Sequence, residues 1–214
     1  MYHRIWSLSL LHTLMSESEI LFMMTAKICH DLSTPLGAMG MGLESLKDEE
    51  TDTIKFTYDS YNALEFKLNF YRTLMMPGAK GPELSDFVNL LNKYAKTKNI
   101  TIHWQDLNCL FFQEGTSRLL MGFTYMMMEP LIRGGDCYIN AINKNNFIII
   151  SKGPVCPMRE EYQKILNMNN IDQHAINTRN VMPAFLINLA NSLSYTTSFQ
   201  KENETIQLSL SKKK

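Results

Sequence analysis

Two successive stretches sharing one apolar rhythm constrain this chain more than anything else in it. From Ser16 to Leu46, apolar residues recur at Leu21, Met24, Ile28, Leu32, Met39, Leu43 and Leu46; the second stretch repeats the pattern at Ile54, Tyr58, Tyr61, Leu64, Leu68, Tyr71 and Met75. Steps of three, four and seven put such residues on one face of a helix. Ser16 with Glu19 three residues later reads as a capping box that opens the first helix. Only the charged stretch Lys47 to Asp52 separates the two helices, which makes them an antiparallel hairpin. A hairpin alone leaves its apolar faces in water, and pairing with a second copy into a four-helix bundle is the simplest cover. Residues 1–78 are therefore expected to form a dimerisation hairpin, and the protein a homodimer.

Pro77 to Pro82, with Gly78 and Gly81 inside it, has the composition of a linker. Residues 82–214 then read as a second domain. Helices are expected at Ser85 to Thr97, Thr116 to Ile132, Arg159 to Met168 and Pro183 to Leu193. Strands are expected at Ile100 to Trp104, Cys137 to Ile142, Phe147 to Ser151, Tyr195 to Gln200 and Glu204 to Leu210. Helices interleaved with antiparallel strands argue an α/β sandwich with one face of its sheet covered, and an α+β chain as a whole.

Charge limits the partners. Lys and Arg total 21 and so do Asp and Glu, so no overall field draws the chain to nucleic acid or to an anionic membrane. Cys29, Cys109, Cys137 and Cys156 form no CxxC pair and no histidine cluster joins them, which argues against a disulfide framework or a zinc site. His3, Arg4 and His12 closely bracket the short run Leu8 to Leu11, and no apolar run is long enough to span a bilayer. The expected compartment is the cytoplasm.

The chemically informative stretch is Ala26 to Ala38. His30 lies two residues, about 200° of helix, from both Ile28 and Leu32 of the apolar stripe, so its imidazole faces solvent. Ala26, Lys27, Ser33, Thr34 and Gly37 are its neighbours at helical offsets, and all but Lys27 are small. Another folded domain can approach such a histidine closely. Neutral imidazole is a competent nucleophile near pH 7. Asp31 is placed to orient the ring or take its proton, and Lys27 to offset phosphoryl charge. Pro35 removes a backbone donor inside the helix and crowds the carbonyl of Asp31, a defect of about 3 kcal/mol that suggests a kink beside His30. His103, Trp104 and Met126 to Met128 fit core positions better than a ligand box, and Lys212 to Lys214 a solvated tail.

The run His30-Asp31-Leu32-Ser33-Thr34-Pro35-Leu36 resembles the phosphoacceptor box of histidine kinases, His-[Asp/Glu]-x-x-[Ser/Thr]-Pro-[Leu/Val]. Cys29 through Ala38, then Gly42-Leu43-Glu44, Phe70-Tyr71-Arg72 and Arg133-Gly134-Gly135, are similar to the ChpT-type histidine phosphotransferases of alphaproteobacteria. That resemblance implies a dimeric bundle carrying a degenerate kinase ATPase-type domain without nucleotide binding. It implies a phosphorelay in which His30 passes a phosphoryl group between the receiver aspartate of a hybrid kinase and those of cell-cycle response regulators. Magnesium would belong to the receivers, and the chain would need no cofactor of its own. Lys27, Ser33, Gly37 and Arg72 are the candidate receiver-docking residues.

The sequence agrees with the loss of nucleotide binding: Leu119 to Ile132 holds no asparagine, Ser151-Lys152-Gly153-Pro154 replaces Asp-x-Gly-x-Gly, and no glycine cluster is present to cradle phosphates. A divergent ATP-dependent kinase and a protein that binds receivers without chemistry are the alternatives. Asp31-x-x-Thr34 also resembles a pattern that positions water to dephosphorylate a receiver, although Thr34 as a plain member of the box is the favoured reading.

Overall fold

A computed structural model describes residues 3–45, 51–75, 83–105, 115–167 and 176–213. The linker expected at Pro77 to Pro82 and most of the charged stretch after Leu46 lie outside these residues.

Helix α1, His3–Ser45, and helix α2, Thr51–Leu74, pack along one another as the hairpin. The first helix begins earlier than expected. It runs straight through Ser16, so Ser16 is an interior residue and not a cap. It also continues through Pro35, which is buried. Met24, Phe66, Phe70, Tyr71 and Leu74 turn into the core, whereas Phe22, Leu43, Ile54, Phe56, Tyr58 and Tyr61 remain exposed.

The second part has the order α3 (Leu84–Thr97), β1 (Ile100–Gln105), α4 (Thr116–Met128), β2 (Gly135–Asn143), β3 (Asn146–Lys152), α5 (Glu160–Leu166), α6 (Val181–Ser192), β4 (Tyr195–Glu202) and β5 (Thr205–Lys212). The sheet is ordered β1-β2-β3-β5-β4. Its strands alternate in burial: Cys137, Ile139, Phe147, Ile149, Ile206 and Leu208 face the helices, and the residues between them are partly solvated. One face is thus covered, as expected.

Two expectations need correction. β1 pairs with β2 in parallel, Ile100 opposite Gly135, so the sheet is mixed and α4 is the crossover between the pair. The chain enters β2 through Gly134 and Gly135, at φ of 78° and 140°, where the amide of Gly135 donates to Asn99 O at 3.2 Å. A Cβ on Gly134 would lie 2.5 Å from Asn99 O, and one on Gly135 2.4 Å from Lys152 O, so only glycine fits either place. Secondly, α4 stops at Met128 and not at Ile132: Glu129 keeps helical dihedrals, φ −55° and ψ −38°, but Pro130 has no amide to continue the ladder.

α4 is buried along nearly its whole length and sits where the two parts meet. A Cβ on Gly122 would strike Leu186 of α6 at 2.4 Å and approach Leu74 of α2 at 3.1 Å. An aromatic cluster ties the same seam, with Phe66 stacked on Tyr94 at 4.3 Å and Phe70 against Tyr125 at 4.2 Å. Among the described residues no helix is long and apolar enough to cross a membrane, and no group of three metal-ligating side chains is present.

Candidate functional site

His30 projects from the middle of α1 with 82% of its side chain exposed. The helical phase sets this: Met24, six residues or about 600° of helix earlier, is fully buried, and His30 lies about 120° round the helix from it. Its Nδ1 lies 3.4 Å from Oδ1 of Asp31, whose own side chain is only 14% exposed. The dyad therefore has a wet half and a dry half.

The dry half is held from two helices. Lys27, one turn before Asp31, donates from Nζ to Oδ2 at 3.1 Å, and the buried Tyr71 of α2 donates its hydroxyl to the same oxygen. Burial alone would raise the Asp31 pKa. The Tyr71 hydrogen bond and the charges of Lys27 and Lys67 outweigh it, so the carboxyl sits below its ordinary range and stays ionised. Tyr71 moves the other way, strongly upward, through burial first and then through its bond to Asp31 and that residue's charge, so it remains a hydroxyl donor. Lys67, one turn before Tyr71, is lowered by burial, partly offset by Asp31.

Below this group lies Glu129, at the end of α4. Its Oε2 and the hydroxyl of Tyr162 are both buried, and the two groups interact with one another. Burial raises the Glu129 carboxyl, against the pull of Lys27 and Arg159. Tyr94 is pushed up to about 12 chiefly by burial, and then by Glu129.

The remaining expected residues divide into those on the open face and those elsewhere. Ser33 and Thr34 are exposed one turn beyond His30, and their hydroxyls donate back to Cys29 O at 2.7 Å and His30 O at 3.3 Å. Gly37 is exposed, and a Cβ there would meet nothing within 4 Å. These positions make a flat approach to the imidazole. Lys27 is set back from those positions: its side chain is 12% exposed and engaged by Asp31. Arg72 is exposed at the end of α2, one residue beyond the inward-turned Tyr71. His103, expected in the core, is half-buried on the sheet, stacked on Tyr138 at 4.4 Å with Nε2 at 2.7 Å from Asp136.

Tyr71, Lys67 and Glu129 were not identifiable as site residues from the sequence. The available signals were that Tyr71 puts a polar tip into the apolar stripe of α2 and that it lies in the Phe70-Tyr71-Arg72 run that carries part of the resemblance.

The histidine phosphotransferase C-terminal domain matches residues 84–205 of this chain. The protein phosphotransferase ChpT of Brucella abortus (strain 2308) is 21% identical over 203 residues, covering 91% of this chain and 96% of that protein. A solved bacterial phosphotransferase superposes with a TM-score of 0.73 at 19% identity, covering 90% of this chain and 95% of the other, and the two share a fold.

Proposed function

Since the chain belongs to the histidine phosphotransferase family, we propose that it is a phosphorelay transferase whose carrier is His30, charged by one receiver aspartyl phosphate and discharged to another. One observation carries the choice of His30: a nucleophile on an open, small-residue helical face backed by an ionised, buried carboxylate. In the forward step the lone pair of a ring nitrogen forms an N–P bond while the acyl P–O bond of the receiver breaks. The electrons of that bond leave on the receiver carboxylate. The transfer depends on positioning and charge, and the magnesium that assists it belongs to the receiver.

We also read the chain as lacking ATP kinase activity. α4 is a sealed helix without asparagine, and Gly153-Pro154 follows β3 where a glycine-rich phosphate loop would be needed. The homodimer belongs to the same proposal. Ile54, Tyr58, Tyr61 and Leu68 form a stripe on α2 that this chain leaves uncovered, and a second hairpin of identical pattern fits it.

Incubating the protein with a phosphorylated receiver is expected to label the wild type, and His30→Ala is expected to stay unlabelled while still folded. Labelling of His30→Ala at the wild-type level rules the assignment out. Label appearing on the wild type with ATP and magnesium alone establishes a kinase instead.

A further inference from the structure

The carboxylate of Asp31 has two edges with different surroundings. Oδ2 is saturated from inside by Tyr71 and Lys27, whereas Oδ1 faces Nδ1 of His30. An ionised carboxylate only accepts hydrogen bonds, so the ring nitrogen facing it must carry the proton. The separation of 3.4 Å is long, as such contacts often are before a partner docks.

We propose that Tyr71 is a positioning residue for the phosphoacceptor: by donating to Oδ2 it aims Oδ1 at His30 and holds the imidazole as its Nδ1–H tautomer, leaving the Nε2 lone pair for phosphorus. This rests on the reading of His30 as the carrier. The step then balances without moving a proton. Nε2 bonds to phosphorus, the receiver carboxylate departs with the P–O electrons, and the Nδ1 proton stays where it was. The ring becomes a phosphorylated cation beside an anion already in place, which is electrostatic preorganisation toward the charge that develops. Tyr71 first, and then Lys27 and Lys67, keep Asp31 ionised, but Lys27 lies on the same helix as the dyad. Tyr71, 40 residues away in sequence, fixes the carboxylate relative to α2. Rotation of either helix would break that bond, so the ring is aimed only when the hairpin is packed.

Tyr71→Phe tests this, because it keeps the ring that packs edge-on against Phe70 at 5.4 Å and removes only the donor. Nitrogen-15 NMR of the His30 ring is expected to show the Nδ1–H tautomer in the wild type and a shift toward Nε2–H in Tyr71→Phe. Transfer from a phosphorylated receiver is expected to slow about tenfold. In an Asp31→Asn background the same substitution is expected to cost nothing further, since Tyr71 acts through Asp31. An unchanged tautomer in a folded Tyr71→Phe, or rate losses that simply multiply in the double variant, overturns the proposal. Failure of the underlying reading looks different: label would persist on His30→Ala.

Discussion

Glu129 and Asp31 are both shielded carboxylates near His30, yet pH acts on them in opposite senses. The folded-state pKa of Asp31 is lowered, so its contribution to stability is present above the ordinary value of 3.8 and lost as pH falls through the lower folded value. Glu129 is raised, so its contribution is complete below the ordinary 4.5 and lost as pH rises through the folded value. Its seat at the C-terminal end of α4, where the helix dipole is negative, adds to the cost of the anion. Glu129→Gln is therefore expected to stabilise the protein by about 1 kcal/mol at pH 8 and not at pH 4. Urea unfolding at both values checks it, and equal shifts at both would discount the carboxylate. His30 was legible because its exposure follows from phase along a single helix and its chemistry from adjacent residues. Tyr71 and Glu129 were not, because their roles arise from contacts between helices distant in sequence.

At the scale of elements, apolar periodicity located the two hairpin helices, and the other four helices and five strands among the described residues also fall where the sequence analysis expects them. Their ends were harder to read. Ser16 looked like a cap because its side chain can serve as one, but the helix before it already supplies the hydrogen bonds a cap would replace. The parallel β1–β2 pair could not be read from alternation, which is the same for either strand direction. Its marker was Gly134-Gly135, a pair visible in the sequence whose reason is the crowding by Asn99 O and Lys152 O. Gly135→Ala is expected to lower stability by about 2–4 kcal/mol through both φ and contact. Gly37→Ala, on an exposed helical turn with nothing nearby, is expected to raise it by about 0.5–1 kcal/mol. Denaturant midpoints of the two variants should move in opposite directions.

For the whole molecule, the balance of charge and the two apolar stripes indicated a folded hairpin with a second domain, but not how the two meet. The seam is built from Phe66, Phe70, Tyr94 and Tyr125, aromatic residues of three helices whose convergence no single helix pattern reveals. On its other side the hairpin presents Tyr58 and Tyr61, stacked at 6.4 Å and exposed. Replacing both with glutamate is expected to yield a monomer with unchanged circular dichroism, read by light scattering at matched concentration. A dimer surviving both substitutions would place the contact elsewhere. α4 gives this arrangement an ordering in time. Enclosed by the sheet, by α6 and by the hairpin, its amides can exchange with solvent deuterium only when the entire domain opens. On α1 the outward positions His30, Ser33, Thr34 and Gly37 already lie open to solvent, so a docking partner can meet the phosphoacceptor while the buried helix behind it stays shut.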